Sequence, residues 1–344
     1  MDTAQGSLFE ALDQHVESCS PPEPPLKDYD RVVLFFSGGK DSVGCFLHLL
    51  DLGVPRDKIE LHHHLVDGRE GSPLMDWPIT EDYCRKFAQA FGVPIFFSWK
   101  EGGFEREMLR QSSATAPIKW MSASGEVVQK GGDGPLGTRR RFPQVSADLS
   151  VRWCSSYLKI DVGCRTLTNE PRFQIGKTLV VTGERAEESS ARAKYKTFEP
   201  HRSDNRHGKL APRLIDHWRP VHQWDEAAVW DIIARYRVNP HPAYHLGWGR
   251  TSCAMCIFGS AKQFASASVV LPDQFARVVN FEREFGVTIK RHTSINALVN
   301  AQSTVYDISA HWVAVARSTE FNESILTPYW TLPLGAFGES TGPT

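Results

Sequence analysis

The sequence predicts an α/β fold, a parallel twisted sheet with helices on both faces, followed by a cysteine-bearing helical region. Three observations carry this. Apolar runs of strand length alternate with segments of helical period from Arg31 onward. The first of these units is a strand, a glycine turn and a helix in immediate succession. The 344 residues are 41% hydrophobic and 23% charged, enough apolar material for a sizeable core.

Each element has its own signal. Arg31-Val32-Val33-Leu34-Phe35-Phe36 is a buried strand, and Val43 to Leu50 a helix packed on one face. Lys58 to Val66 reads as a second strand. Thr80 to Phe91 reads as a helix capped by Thr80, and Val93 to Ser98 as a third strand. Leu179-Val180-Val181-Thr182-Gly183 is a fourth strand, and Trp224 to Tyr236 a helix starting near Asp225. Residues 1–27 read as an arm, with a short helix around Leu8 to Val16 and a stiff proline segment from Ser20 to Pro25. A nucleotide-binding domain is expected over 28–220, with residues 101–143 inserted over the active site. A helical region follows over 221–334, and a glycine-rich tail over 335–344.

No apolar run reaches bilayer-spanning length, and the acidic, polar N-terminus shows no signal peptide, so a cytoplasmic protein without membrane contact is expected. Seven cysteines in that compartment read as thiols or metal ligands rather than disulfides. A net charge of −1 excludes a globally basic nucleic-acid binder. A local strip from Arg192 to Arg219 is basic, and within it Arg202, Arg206 and Lys209 are the candidate contacts to a polyanion.

Ser37-Gly38-Gly39-Lys40-Asp41-Ser42 fills the first strand-to-helix turn. Gly38 and Gly39 can aim successive N–H groups at an anion, the helix N-terminus adds partial positive charge, and Lys40 adds a full one. Asp41 and Ser42 can hold a metal ion or cap the helix. The plain alternative is an ordinary capped turn. Ligands of such sheets bind at the carboxyl ends of the strands, where Asp67 and the segment after Gly183 also fall. In that segment Arg185 and Arg192 suit phosphate oxygens, and Glu188 or Ser189 suits a sugar hydroxyl or an arginine. Solvated charge pairs at a helix start are the alternative there.

Cys253-Ala254-Met255-Cys256 has the spacing of two ligands to one metal centre, and Cys154 in Arg152-Trp153-Cys154-Ser155-Ser156-Tyr157-Leu158-Lys159 offers a third. An iron–sulfur cluster is expected first, then zinc, then a redox pair, then core cysteines. Cys164 is set aside: ten residues of helix place it roughly 15 Å from Cys154. His62, His63 and His64 alternate in direction on a strand, so they read as fillers of polar sites.

The hexapeptide Ser37–Ser42 resembles the PP-loop of the ATP pyrophosphatases. With Gly183–Arg192, Arg152–Ile160 and Cys253–Cys256 in this order, the chain resembles the phosphoadenylyl-sulfate (PAPS) reductase family of PP-loop proteins over roughly 31–262. The resemblance implies the adenine nucleotide alpha hydrolase-like sheet. It implies ATP and Mg2+ as ligands, with cleavage to AMP and pyrophosphate. Lys40, Asp41 and Arg185 would be catalytic, and Ser37, Gly38, Gly39, Ser42, Asp67, Gly183, Glu188 and Arg192 nucleotide-binding. It also implies a [4Fe–4S] cluster on Cys154, Cys253 and Cys256. One departure is informative. Cluster-bearing adenylyl-sulfate reductases have Cys-Cys where this chain has Cys154-Ser155, and a catalytic cysteine in a C-terminal tail, whereas the last cysteine here is Cys256. The sequence is more similar to the sulfur-transfer branch, the DndC/SspD type of bacterial DNA phosphorothioation. That branch implies DNA, a cysteine desulfurase as sulfur donor and further modification subunits as partners. A sulfonucleotide reductase and a non-catalytic nucleotide-binding subunit of a defence complex are the alternatives.

Overall fold

In a computed structural model, described here for residues 23–71, 73–301 and 305–338, eight strands form one sheet in the order β5-β4-β3-β2-β1-β6-β8-β7. The expected helix at Leu8 to Val16 and the end of the tail lie outside the described residues. β1 (Arg31–Phe35), β2 (Ile59–Leu65), β3 (Ile95–Lys100), β6 (Lys177–Val181) and β8 (Leu214–Trp218) run parallel. β4 (Ile118–Met121), β5 (Val127–Lys130) and β7 (Phe198–Pro200) pair antiparallel at the two margins. The parallel strands are apolar runs because helices cover both their faces. Val32 and Leu34 point into the main core, and Val33, with Val180 and Ile215, into a second core on the other face.

α1 (Lys40–Asp51) follows β1 directly, and α2 (Thr80–Phe91) ends on Gly92 in the left-handed conformation. Thr80 is not the cap expected of it: the helix begins at that residue, and its hydroxyl bonds Asp76 and His241. Asp225 does cap α6 (Glu226–Arg235), accepting from the Ala228 N–H at 2.7 Å. Residues 101–143 were expected as a cover over the active site. Instead they hold α3 (Gly103–Leu109) and the β4–β5 hairpin, which extends the sheet beyond β3. The alternation of Ile118 and Trp120, both buried, is what seats that hairpin.

α4 (Trp153–Ser155) passes through a π turn at Ser156–Ile160 into α5 (Asp161–Asn169). Beyond β8 the chain is helical: α6, α7 (Pro242–His245), α8 (Ala261–Val270), α9 (Pro272–Phe285), α10 (Ile295–Ala301) and α11 (Ala310–Arg317). No helix among the described residues is long and apolar enough to cross a membrane. The ends of β1, β2, β6 and β8 therefore open toward one side, roofed by the segment from α7 to Cys256.

Candidate nucleotide site

Gly38 takes φ +77°, and a Cβ there would lie 3.0 Å from Cys84 Sγ, so both conformation and space require glycine. The two loop serines brace the turn from within. Ser37 Oγ accepts from the Gly39 N–H at 3.3 Å, while Ser42 Oγ donates to the Gly39 carbonyl at 2.9 Å. Lys40 is 2% exposed, with Nζ 3.3 Å from Asp41 Oδ2 and 4.0 Å from Glu226 Oε1. Burial pulls its pKa down, but Asp41, Tyr244 and Glu226 outweigh burial, so Lys40 is held charged.

Asp41 joins the two motifs of the site. Its Oδ1 accepts from Arg185 Nε at 2.5 Å, which links the first motif to the second across 144 residues. Burial raises its pKa, yet Lys40 and Arg185 win and keep it an anion. Arg185 is itself 2% exposed and also pairs with Glu187. Glu188 accepts from the Arg185 backbone N–H at 2.8 Å and pairs with Arg192, so it orients both arginines. Gly183 packs against the loop so closely that a Cβ would lie 2.9 Å from the Asp41 carbonyl carbon. The candidate residues Ser37 to Ser42, Gly183, Arg185, Glu188 and Arg192 thus form one assembly.

Asp67 takes a different place from the one expected. Its Oδ2 accepts the N–H groups of Leu74, Met75 and Asp76, each at 2.9 Å, so it organises the turn after β2; Oδ1 is buried without a partner. That turn reaches the cysteine segment: Trp77 Nε1 donates to the Ser252 carbonyl at 3.0 Å, and the Met255 N–H to the Met75 carbonyl at 3.1 Å. Two residues that sequence reasoning missed complete the roof. Tyr244 Oη accepts from the Lys40 N–H at 2.9 Å and from the Thr251 N–H at 3.1 Å, and Glu226 faces Lys40. Neither stands in a recognisable motif; the flanking Pro240 and Pro242 mark only a broken helix.

Cys154, Cys253 and Cys256 come toward one another, and all three are free thiols. Burial, then Cys256, pushes Cys154 up to about 11; burial, then Asp76, pushes Cys253 well above the usual range. Among the described residues, no group of three or more His, Cys, Asp or Glu is arranged to hold a single metal ion. Cys164 lies elsewhere, in an open cavity of about 470 Å³ with Arg165, Arg202, Ser203 and Arg213. The histidines are polar-site fillers: His62 meets Glu60, His63 the Phe36 carbonyl at 2.8 Å, and His64 Ser98 Oγ at 2.8 Å.

The middle of the basic strip, with Arg202, Arg206 and Lys209, does not lie beside the loop, although Arg192 at its start does. Residues 201–213 join β7 to the start of β8, whereas the loop and Arg185 sit past the far ends of β1 and β6. The five residues of β8 put roughly 13 Å between those levels. Arg206 is moreover paired with Asp204 at 2.9 Å and Asp216 at 2.5 Å, while Arg202 and Lys209 are exposed.

Residues 145–258 match the phosphoadenosine phosphosulfate reductase domain. An uncharacterized 37.8 kDa protein in the gpa 5′ region of Escherichia phage 186 is 25% identical over 280 residues, covering 76% of this chain and 77% of that protein. Among solved structures, PAPS reductase from Candida auris in a phosphate complex is 16% identical with a TM-score of 0.35, covering 65% of this chain and 81% of that one. Candida glabrata FMN adenylyltransferase in complex with ATP is 11% identical with a TM-score of 0.35, covering 65% of this chain. The chain spans about half, 53%, of the length of that adenylyltransferase. The segment similar to that domain carries Cys154, Arg185, Arg192 and the Cys253–Cys256 turn, whereas the loop between β1 and α1 lies outside it.

Proposed function

We propose that this protein cleaves ATP to AMP and pyrophosphate and thereby activates an acceptor for sulfur transfer, the acceptor being the DNA backbone. The observation that carries the nucleotide part is the Lys40–Asp41–Arg185 assembly at the N-terminus of α1. Two buried cations are held at the mouth of a glycine turn by one carboxylate. Pyrophosphate leaving this position gains charge where charge is already compensated, and the donors need no reorganisation to meet it. Asp41 gives one oxygen to each cation, so Mg2+ enters with the triphosphate rather than on a protein cage. Asp41 and Glu187 hold the Arg185 guanidinium, and Glu188 ties the Arg185 backbone to the Arg192 side chain.

The DNA reading draws its support from the resemblance to phosphorothioation proteins, with a cysteine desulfurase and further subunits as partners. Arg202, Arg206 and Lys209 would then grip backbone phosphate away from the loop, positioning the strand without reading it. No step passes through an iron–sulfur cluster. The second reading, turnover of a small sulfonucleotide, is favoured by the match to the PAPS reductase domain.

Purified protein with Mg2+ and ATP labelled on the α-phosphate tests the reading. AMP and pyrophosphate are expected, and Lys40→Ala should lower the rate about a hundredfold or more. Release of ADP and phosphate, or full activity in Lys40→Ala, would refute it. Charge reversal of Arg202, Arg206 and Lys209 separates the acceptors: loss of DNA phosphorothioate with intact ATP cleavage is expected, and unchanged phosphorothioate returns the small sulfonucleotide to first place.

A further inference from the structure

Arg152 is a buried cation without a counter-charge. It is 8% exposed, and its Nε and Nη1 have no hydrogen-bond partner. No carboxylate of the described residues lies within 4 Å of its guanidinium. The groups that draw it toward its charged form are Cys154 and Tyr195, whereas Arg192 and Arg250 repel it. A buried guanidinium left in this state is costly, and the cost falls only when an anion joins it.

The surroundings say what kind of anion. Arg192 closes the second motif and is already paired with Glu188. Arg250 precedes Thr251, whose Cβ lies 3.4 Å from where a side chain on Gly39 would begin. The convergence therefore lies between the PP-loop, the second motif and the thiols of Cys154 and Cys256. A planar fork of donors suits a tetrahedral oxyanion with two oxygens turned toward it.

We propose that Arg152, flanked by Arg192 and Arg250, is the anchor of a second anion subsite that takes a phosphate- or sulfate-ester oxyanion of the acceptor substrate. This rests on the reading of the chain as a nucleotide-dependent activator, because the subsite places the acceptor next to the nucleotide mouth. It is separate from the PP-loop, which holds its own cations.

The test uses inorganic sulfate as probe, in the full-length chain and in Lys40→Ala, with melting temperature followed against sulfate and against chloride as control. A saturable sulfate-specific rise is expected in both. Arg152→Gln should weaken sulfate binding roughly tenfold or more, because a charged hydrogen-bonding partner is lost. In sulfate-free buffer Arg152→Gln should melt at or above the wild-type temperature, since an uncompensated charge has been removed. A lower melting temperature there would make Arg152 a structural residue and overturn the proposal, as would an unchanged sulfate response. Arg152→Lys should retain part of the response, since it keeps the charge without the fork. Competition by a short oligonucleotide assigns the oxyanion to DNA, competition by adenosine 5′-phosphosulfate assigns it to a small sulfonucleotide, and competition by neither overturns the subsite. Absence of ATP cleavage alongside an Arg152-dependent sulfate response would refute the nucleotide reading and leave the subsite standing.

Discussion

Gly183→Ala isolates the contact between the two nucleotide motifs. Gly183 does not occupy the left-handed region, so a methyl group meets no conformational penalty, only a spatial one. Its Cβ would lie 2.9 Å from the Asp41 carbonyl carbon, 3.0 Å from its oxygen and 3.1 Å from the Ser42 nitrogen. All three are backbone atoms of the first turn of α1, which cannot swing aside as a side-chain tip can. Ordinary contact begins near 3.4 Å, so the start of α1 must retreat by about half an ångström. Overpacking of this kind costs about 1–3 kcal/mol. The loss of a glycine from the unfolded chain offsets about 0.4–1 kcal/mol, which leaves a net destabilisation of about 0–2.6 kcal/mol. The effect on catalysis should be larger in proportion. The displaced turn carries Lys40 and Asp41, and a misplacement of 1 Å can cost a hundredfold, so a loss on the order of tenfold in pyrophosphate release is expected. Urea unfolding and a pyrophosphate-release assay read the two effects. Gly134→Ala is the control, because a Cβ at Gly134 meets nothing within 4 Å. If Gly183→Ala matches Gly134→Ala in both assays, the two motifs are not in the contact described and the site as built is wrong.

Asp41→Asn leaves Lys40 and Arg185 buried without their shared anion; with Glu226 and Glu187 still near, a loss of about 3 kcal/mol in urea unfolding is expected, and a loss under 1 kcal/mol would refute the assembly. Burial lowers His63 to about 4 and His201 and His241 to about 3, so these rings stay neutral in the folded chain and take protons only on unfolding. Their folded pKa values lie below the unfolded value of about 6.5, so stability falls as pH drops from about 6.5 toward 4, by up to about 1.4 kcal/mol per pH unit for each ring. Asp76, raised to about 6 chiefly by burial, works the other way between about 4 and 6, as do the raised Asp67 and Glu282, but burial lowers His62, His64, His217 and His245 as well. Urea midpoints at pH 7.5 and 5.5 check the net sign, and equal midpoints would contradict it. Protein purified without oxygen should carry less than one zinc per chain by elemental analysis, and stoichiometric zinc would contradict the placement of Cys154, Cys253 and Cys256.

What the sequence reveals here depends on whether a residue's partner is local. β1, the glycine turn and α1 are legible because their signals lie within twenty contiguous residues. The four expected strands and the helices starting at Lys40, Thr80 and Glu226 stand where periodicity puts them. The β4–β5 hairpin is not legible: Ile118 and Trp120 alternate, but only pairing with β3 turns a glycine-flanked stretch into sheet. Asp67 illustrates the limit for side chains. Its position at a strand end is right for a ligand, yet the three amides that claim it come from a turn whose path no local pattern fixes. The basic strip misleads for the same reason. Arg192 and Arg206 are fourteen positions apart in sequence, but β7 carries the chain back along the sheet between them.

Tyr244 shows how the site's parts depend on one another. Its hydroxyl oxygen accepts from the N–H of Lys40, the first residue of α1, where an oxyanion gains most from the helix N-terminus. The same oxygen accepts from Thr251, two residues before Cys253, and its own carbonyl accepts from Gly335 at 2.7 Å. The Phe337 N–H in turn donates to Glu226, which faces Lys40. A phosphate oxygen that takes the Lys40 amide must take it from Tyr244, and Tyr244 is also the hold on the segment that carries Arg250 and the Cys253–Cys256 turn. On the proposed function, the nucleotide mouth and the acceptor subsite are therefore not independent pockets on a rigid sheet. They share a single buried hydroxyl, so filling the first changes the bonding of the segment that walls the second.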